Sequence, residues 1–287
     1  MSVEEQSDLV SVIIPAYNHQ NYIQECIDSI AKQTYPDIEL LVLDDGSSDQ
    51  TYEKAKQALM KYPDRFKRVW IEKQENTGKT EALNRLREQV NGEYVYLIDS
   101  DDVAKPLAVE MNWNFLKDNP SYVLSVGNNE FIDSNSVPIL CSENMLITND
   151  KNQDVCKTFT DCSGVDHMGG DFGKYETFFF KGNHIPNGYL IRASMFKKIP
   201  KFTKEAPLED YYLMLQLSKY GGFKYIDEIL YSRRLHATNV SGNMEHMKDM
   251  ANKTHEYEMD LIRKGNFSND CLPEFLLFVA FLHQRYL

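Results

Sequence analysis

The nine residues YVYLIDSDD, Tyr94 to Asp102, combine a hydrophobic run with a cluster of carboxylates. The first five residues are apolar, aromatic or β-branched, which is typical of a short strand buried on both faces. Carboxylates this close repel one another unless a positive charge lies among them. Mg²⁺ and Mn²⁺ bind one or two carboxylates together with phosphate oxygens, so the stretch predicts a cation that carries a phosphorylated ligand. A polar turn before a helix near Pro106 would explain the same residues. The polar residues are Asp99, Ser100, Asp101 and Asp102.

Polar residues also follow two other predicted strands, Val10 to Ile14 and Ile38 to Leu43. If the strands are parallel, their carboxyl ends meet at one edge of a sheet, where ligands bind in such folds. Asp45 suits hydrogen bonding to a base or ribose, or else it forms a turn. Tyr17 either stacks on a base or is an ordinary rim aromatic. The first polar group is Pro15, Ala16, Tyr17 and Asn18, and the second is Asp44, Asp45, Gly46 and Ser47.

Strands and helices alternate along the first half of the chain. Tyr22 to Gln33 places apolar residues at helical spacing, and Phe66 to Ile71 is a third predicted strand. A helix from about Gly78 to Gly92 precedes the strand at Tyr94, and Val123 to Asn129 resumes the sheet. This order predicts βαβ units with right-handed crossovers and an α/β fold with a mostly parallel sheet.

The motifs that bind phosphate through glycine-rich loops are missing from the sequence. No GxGxxG follows the first strand, and no GxxxxGK[ST] occurs in the chain. A metal is therefore the better explanation for how a phosphate would be held. This also disfavours a sugar nucleotidyltransferase, in which a Gly-rich loop is expected after the first strand.

The composition limits the class of ligand. The 287 residues carry a formal net charge of −12. We predict no nucleic-acid binding, because such proteins present a basic surface. An anionic small ligand stays compatible with this charge, because a bound metal supplies local positive charge.

The cysteines and the hydropathy point to a cytoplasmic protein. The five cysteines are odd in number and form no CxxC motif, so we expect reduced thiols. Cys156, Cys162 and His167 lie close together in sequence but match no zinc spacing. No signal peptide is recognisable before Val10, and no apolar run is long enough to span a membrane.

Three segments together resemble the family 2 glycosyltransferases with the GT-A fold. They are VSVIIPAYNHQNYIQECIDSIAKQTYPDIELLVLDDGSSDQT, then NTGKTEALN, and then YVYLIDSDD. The resemblance is strong from Val10 to about Asn129 and looser to about Gly242. It implies a GT-A type, Rossmann-like sheet flanked by helices, and transfer of a sugar from a nucleotide diphosphate with inversion. We therefore expect a UDP-sugar as the donor, with Mn²⁺ or Mg²⁺ as the cofactor.

The resemblance also implies roles for individual residues. Asp99 and Asp101 match the family's Asp-x-Asp motif, which contacts the ribose and the metal–diphosphate, and Asp102 shares that region. Leu83 replaces the arginine that usually precedes Asn84, so we expect Lys79 or Arg85 to take its place. The implied nucleotide-sugar contacts are Pro15, Ala16, Tyr17, Asn18, Asp45, Asn76, Gly78, Lys79, Asp99, Ser100 and Asp101.

The second half of the chain carries the predicted acceptor and base residues. Glu209 and Asp210 open an amphipathic helix and match the family's catalytic acid pair, with Asp210 at the position of the general base. Stabilisation by the helix dipole explains the same placement without catalysis. The resemblance places further candidates near the acceptor or diphosphate: Asn183, His184, Asn187, Arg233 and Arg234. His236 is a further candidate metal ligand, together with Asp99, Asp101 and Asp102.

The chain changes character after Gly242. We predict a GT-A domain over residues 1–242, with a nucleotide-sugar half at 10–129 and an acceptor half at 130–242, and a helical appendage over residues 243–287. Pro273 to Leu287 is apolar enough to seek a partner. We expect it to dock on its own domain or on a second subunit, and peripheral contact with a membrane is the alternative.

The resemblance leaves the acceptor open between a glycan and a lipid-linked molecule. A processive polysaccharide synthase is disfavoured, because the chain has no predicted membrane span and no QxxRW motif after Asp210. A catalytically inactive nucleotide-binding scaffold is the alternative of a different class.

Overall fold

A computed structural model describes residues 8–142, 155–237, 239 and 242–285. Its centre is an eight-stranded mixed sheet whose strands lie in the spatial order β3-β2-β1-β4-β9-β6-β10-β5, and β7 and β8 form a separate pair. The strands are β1 (Val10–Ala16), β2 (Ile38–Asp44), β3 (Arg68–Lys73), β4 (Tyr94–Leu97), β5 (Val103–Ala104), β6 (Tyr122–Ile132), β7 (Cys141–Ser142), β8 (Val155–Cys156), β9 (Tyr189–Arg192) and β10 (Gly222–Arg234).

Helices cover both faces of the sheet. In α1, residues Ile23, Cys26, Ile27 and Ile30 are buried on one face, as the spacing predicted. The helices are α1 (Ile23–Ala31), α2 (Thr51–Leu59), α3 (Lys79–Gln89), α4 (Ala108–Asp118), α5 (Phe159–Cys162), α6 (Tyr175–Lys181), α7 (Ala193–Lys198), α8 (Glu209–Leu217), α9 (Met244–Arg263) and α10 (Pro273–Arg285).

The N-terminal half of the sheet is parallel, as predicted. β1 pairs in parallel with β2 on one side and with β4 on the other, and β3 continues beyond β2. β1, β2 and β4 are buried along their whole length, which explains their continuous apolar sequences. Their carboxyl ends therefore lie side by side.

Two long-range strands were not predicted from the sequence. β9 lies antiparallel between β4 and β6, and β10 pairs in parallel with β6 along most of its length. The stretch from Ser134 to Lys174 contains β7, β8 and α5, and residues 143–154 within it lie outside the described part. β10 ends at Arg234, so it brings residues of the second half to the edge formed by β1, β2 and β4.

The prediction that every cysteine is reduced is wrong for two of them. Cys156 and Cys162 form a disulfide, because β8 and α5 bring their side chains together. Cys141 lies beside this pair, with its Sγ 3.6 Å from the Sγ of Cys162. The remaining cysteines, Cys26 and Cys271, are buried free thiols.

The C-terminal residues dock on the rest of the chain, as one of the predicted alternatives states. Phe275, Phe278 and Leu282 of α10 are buried in the same core as α6 and α8. The ring of Phe275 lies 4.7 Å from that of Tyr175, measured between centroids. Among the described helices, none combines the length and the apolar character that crossing a bilayer requires.

We expect Phe278→Ala to lower the free energy of unfolding by about 3 kcal/mol, because it leaves a cavity in the core. Leu277→Ala is the matched control, since Leu277 on the same helix is 71% exposed; it should change the free energy by less than about 0.5 kcal/mol. Urea unfolding of both variants measures this. Equal losses in the two variants would show that α10 does not dock through Phe278.

Candidate functional site

The loop after β1 joins the loop after β2. Asn18 has a φ of 54°, and its backbone N–H donates to Ser47 Oγ over 2.8 Å. Its side-chain oxygen accepts from the N–H of Ser48 over 2.9 Å. Pro15 and Ala16 are buried at the end of β1. Asn18 thus holds the two predicted polar loops together.

Tyr17 and Ser100 complete the predicted residues around these loops. Tyr17 is 47% exposed beside Asn18, so its ring is available to stack on a base. Ser100 is buried, and its Oγ lies 2.8 Å from His19 Nδ1. The ring of Tyr17 is thus accessible to solvent, whereas Ser100 supports the side chain of His19.

Asp45 organises the loop between β3 and α3. Its Oδ1 accepts from Gln74 Nε2 over 2.7 Å and from the N–H of Thr77 over 2.9 Å. Its Oδ2 accepts from the N–H of Gly78 over 2.8 Å. Each carboxylate oxygen has two lone pairs, so Oδ2 can accept one further bond from a ligand.

Asn76 lies in this loop and is exposed. Its backbone N would lie 2.6 Å from a Cβ at Gly46, which has a φ of +77°. Only glycine permits this close approach and this backbone conformation. The Asp45-Gly46 loop and the Asn76 loop are therefore packed directly on each other.

Lys79 joins the two halves of the chain. Its Nζ lies 2.8 Å from Asp99 Oδ1 and 2.8 Å from Glu209 Oε1. Desolvation by itself would lower the pKa of Lys79, but the charges of Asp99 and Glu209 outweigh it and raise the pKa well above its usual value. Lys79 therefore stays positively charged between the predicted Asp-x-Asp motif and the predicted acid pair.

Leu83 and Arg85 are the other residues that concern the family's missing arginine. Leu83, at the position of the family's usual arginine, is buried in the core. Arg85 pairs with Glu72 and bonds Gln74, away from the carboxylate cluster. Of the two basic residues, Lys79 is the one that pairs with Asp99 of the carboxylate cluster.

Asp101 lies between two histidines. Its Oδ2 is 2.9 Å from His236 Nε2, and its Oδ1 is 3.7 Å from His19 Nδ1. Burial alone would raise the pKa of Asp101, but the hydrogen bond from His236 and the nearby His19 lower it. Asp101 is therefore an ionised carboxylate that is 6% exposed.

These three side chains have the composition of a metal site. His19, Asp101 and His236 each offer one ligand atom, and the atoms lie within 4.8 Å of one another. A carboxylate suits Mg²⁺ and Mn²⁺ alike, whereas imidazole nitrogens are poor ligands for Mg²⁺. The set fits a divalent cation and favours Mn²⁺ over Mg²⁺.

Asp102 faces away from this group. Its two oxygens accept from Tyr231 Oη and from the N–H of Arg234, each over 2.7 Å. Burial raises the pKa of Asp102 well above its usual value, and Asp101 and Asp99 raise it further. Asp102 thus links the carboxylate cluster to β10, and Asp101 is the better placed of the two for a cation.

The buried side chain of Arg234 bonds to the backbone of the carboxylate cluster. It is 1% exposed, and its Nε donates to the carbonyl oxygen of Asp101 over 2.7 Å. Other guanidinium nitrogens contact Glu25 Oε2, Asp133 O and Ser136 Oγ. These bonds occupy the guanidinium group of Arg234. Arg233, the neighbouring candidate, is half-buried.

Asp210 lies at the first turn of α8, beside Glu209. Burial raises the pKa of Asp210 to about 6, and the charge of Glu209 adds to the increase. Lys79, the N–H of Tyr211 and Arg233 act in the opposite direction. A carboxylate with a pKa near neutrality is suited to accept a proton and release it again.

A small cavity connects these groups. Asp99, Asn187 and Asp210 line it together with Lys79 and Asn183. Asn187 Nδ2 donates to Asp99 Oδ2 over 3.3 Å. Asp99 of the Asp-x-Asp motif, the acid pair Glu209 and Asp210, and two of the predicted acceptor residues therefore face one space.

The remaining acceptor candidates have local partners. Asn183 Oδ1 accepts from the N–H of Ile185 over 3.1 Å. His184 is 2% exposed and its ring stacks on Phe178. Burial lowers the pKa of His184 to about 4, so it is neutral near pH 7. His184 packs in the core, whereas Asn183 lines the cavity.

Three residues of the site were not predicted from the sequence. His19 follows the predicted loop Pro15 to Asn18 by one residue, so its position was the available signal. Tyr231 lies on the unpredicted strand β10. Asn239 Nδ2 lies 3.2 Å from Asp101 Oδ2, and no local pattern marks it.

Comparisons with known proteins identify relatives over most of the chain. Residues 11–170 match the model of Glycosyl transferase family 2. The chain is 32% identical over 235 residues to a chondroitin synthase of Pasteurella multocida, covering 81% of this chain and 21% of that protein. It is 30% identical over 257 residues to an uncharacterised glycosyltransferase of Rickettsia prowazekii, covering 88% of this chain and 70% of that protein.

Solved structures with the same fold are less similar in sequence. A mannosyltransferase of Pyrobaculum calidifontis in complex with GDP-Man and Mn²⁺ has a TM-score of 0.63 and 16% identity, covering 96% of this chain and 72% of that one. S. aureus TarS in complex with UDP-GlcNAc has a TM-score of 0.57 and 19% identity, covering 85% of this chain and 66% of that one. The fold is that of the GT-A glycosyltransferases.

The chain spans about a fifth of the length of the chondroitin and hyaluronan synthases of Pasteurella multocida that it matches. These relatives are therefore larger proteins, of which the present chain resembles one part.

Proposed function

Because the chain belongs to glycosyl transferase family 2, we propose that it is a metal-dependent, inverting glycosyltransferase that moves a sugar from a nucleoside diphosphate to an acceptor hydroxyl. The observation that carries this proposal is the position of Lys79. It joins Asp99 to Glu209 at 2.8 Å each, and so brings the nucleotide motif and the acid pair together.

The nucleoside half of the site would use the loops after β1, β2 and β3. Tyr17 offers an exposed ring for the base, and Asp45 has one lone pair available on an oxygen that is already oriented by Gly78. A UDP-sugar is the proposed donor, since one structural neighbour was solved with UDP-GlcNAc. The identity of the nucleotide and the identity of the sugar are determined separately, and a ligand screen can test both.

His19, Asp101 and His236 would hold the divalent cation. When bound, Mn²⁺ would supply positive charge to the diphosphate oxygens as the leaving group develops negative charge. The residues of this chain contribute charge as well, because Lys79 stays protonated and Arg233 lies near Asp210.

Asp210 would act as the general base. It would accept the proton of the acceptor hydroxyl as that oxygen forms a bond to the anomeric carbon. The bond between this carbon and the diphosphate oxygen breaks on the opposite face, so the configuration inverts and the nucleoside diphosphate leaves. Asn183 and Asn187 line the cavity where the acceptor would sit.

The acceptor proposed is a growing glycan or a lipid-linked molecule. Two of the larger relatives are named for the synthesis of chondroitin and hyaluronan, which are polysaccharides. Self-association through the C-terminal helices, contact with a membrane and a cytoplasmic location stay predictions.

A thermal-shift screen of nucleotide sugars with Mn²⁺, followed by measurement of nucleoside diphosphate release, tests the function. A ligand that binds only the native state raises the apparent melting temperature. We expect stabilisation by one class of nucleotide diphosphate and slow release of that nucleotide when water replaces the acceptor. Stabilisation without any release would indicate a binding scaffold.

We expect Lys79→Met to move the acid limb of the kcat profile to higher pH. Lys79 lowers the pKa of Asp210, which is about 6, so its removal raises this pKa. Asp210 can act as a base only when it is deprotonated. As the pH falls, the variant therefore loses activity at a higher pH than the wild type does. Lys201→Met is the control, because Lys201 is exposed and pairs with Glu88. A limb that stays in place or moves to lower pH would contradict this electrostatic role.

A further inference from the structure

Helix α9 contacts the helix that carries Glu209 and Asp210. The N–H of Leu208 donates to Thr254 Oγ1 over 3.1 Å. Thr254 lies in the middle of α9 and is completely buried. The sequence assigned α9 to an appendage, outside the predicted catalytic domain, yet it bonds the residue directly before the acid pair.

This amide group belongs to the start of α8. Leu208 is the N-cap residue, and its apolar side chain makes no capping hydrogen bond. The first N–H groups of a helix have no partner within the helix and need one from elsewhere. Thr254 supplies a partner from a different helix, at a distance of 46 residues along the chain. The position of the first turn of α8 therefore depends on α9.

The position of that turn decides where Asp210 points. Asp210 Oδ1 accepts from the N–H of Tyr211 over 2.6 Å, so the carboxylate is held by the backbone of the same turn. Glu209 is held by Lys79. A displacement of the turn would move both carboxylates relative to the cavity.

A separate set of contacts fixes α9 farther along its length. Glu258 is completely buried, and its Oε1 lies 2.7 Å from Lys219 Nζ. Its other oxygen accepts from Gln216 Nε2 over 2.7 Å, and Tyr175 Oη donates to Oε1. This network joins α9 to the end of α8 that is remote from the acid pair. It provides a control that weakens the docking of α9 without removing the contact to Leu208.

We propose that Thr254 is a positioning residue, which holds Glu209 and Asp210 at the catalytic cavity by bonding the amide of Leu208. This inference rests on the proposed role of Asp210 as the base. It also makes α9 a working part of the catalytic unit rather than an independent appendage.

The test compares Thr254→Val with Thr254→Ser and Glu258→Gln. Valine keeps the shape of threonine but cannot accept the hydrogen bond, whereas serine retains the hydroxyl. We expect Thr254→Val to lower kcat by roughly 10- to 100-fold, because small displacements of catalytic groups have effects of this size. The KM for the nucleotide sugar should stay within about twofold, since the loops that bind the nucleotide are untouched.

Two further readouts separate positioning from general destabilisation. The acid limb of the kcat profile should move in Thr254→Val, because Asp210 would change its distances to Glu209, Lys79, Arg233 and Tyr189, the charged or titratable groups around it. The amide of Leu208 should exchange hydrogen faster in the same variant. Glu258→Gln should lower the melting temperature but leave the pH profile in place, and Thr254→Ser should restore kcat.

An unchanged kcat and pH profile in Thr254→Val would overturn the proposal. So would an equal change in Glu258→Gln, because the effect would then follow stability alone. Hydrogen exchange at Leu208 is measured without turnover, so it tests the contact with Thr254 independently of the proposed function. If the wild-type protein transfers no sugar, the proposed function is refuted, but the exchange rate still tests this contact. Slow exchange at Leu208 in Thr254→Val would show that Thr254 does not hold this amide.

Discussion

Asp210→Asn should reduce turnover by roughly 10²- to 10⁴-fold, the usual contribution of a positioned acid–base group. Asparagine keeps the size of the side chain and its ability to accept from the N–H of Tyr211, but it cannot take up the proton of the acceptor. Affinity for the nucleoside diphosphate should stay within about twofold, because the substitution leaves the nucleotide loops intact. Steady-state kinetics and calorimetric titration of the nucleotide measure the two effects.

Asp227→Asn is the matched control for this variant. Asp227 is an exposed carboxylate on β10, so its replacement should leave turnover unchanged. If transfer by Asp210→Asn survives within a few-fold of the wild type, another residue is the base. Glu209 would then be the first candidate, since it shares the cavity.

Asp101→Asn should weaken Mn²⁺-dependent binding of nucleoside diphosphate by roughly 100-fold or more. Even residues that only orient metal ligands contribute 10- to 100-fold to affinity, and Asp101 supplies the one carboxylate of the group with His19 and His236. Asparagine retains the shape and can still bond His236, so the melting temperature should change little. Isothermal titration with Mn²⁺ and with EDTA measures the metal-dependent part.

Asp249→Asn serves as the control, because this exposed carboxylate on α9 pairs with Lys253 and lies outside the metal group. The two titrations should differ for Asp249→Asn as they do for the wild type. Equal affinities with Mn²⁺ and with EDTA in the wild-type protein would show that binding of the nucleoside diphosphate does not depend on a metal.

The first half of the fold was predictable because its signals are local. β1, β2 and β4 are buried on both faces, so each appears in the sequence as a continuous apolar run. The intervening helices show one apolar face, and the polar residues after the strands mark the binding edge. Asp45, Asp99 and Asp101 could therefore be placed at one edge without knowledge of the side-chain contacts.

β10 was not predictable in the same way. Its sequence, GFKYIDEILYSRR, mixes charged and apolar residues, and its pairing with β6 contains register shifts. The alternation that identifies a strand is interrupted at each of these shifts. Because β10 was missed, the contacts of Tyr231 and Arg234 with Asp102 and Asp101 could not be anticipated.

Long-range partners explain the other differences. Arg234 looked available for a diphosphate, since nothing in the sequence around it marks it as buried. His19 and Thr254 each have partners far away in the sequence, Asp101 and Leu208, and such pairs leave no local pattern. The sequence thus indicated which residue types do the chemistry, whereas the residues that hold them in place became visible in the folded chain.

The most direct test is to follow hydrolysis of an α-linked UDP-sugar by proton NMR, with Mn²⁺ present and water as the acceptor. It requires no knowledge of the natural acceptor. The nucleotide sugar selected by the thermal-shift screen replaces the UDP-sugar if another nucleotide is preferred. We predict that the β-anomer of the free sugar appears first, before mutarotation, and that EDTA and Asp210→Asn both suppress its formation. Initial release of the α-anomer, or the absence of any metal-dependent hydrolysis, would contradict an inverting glycosyltransferase with Asp210 as its base.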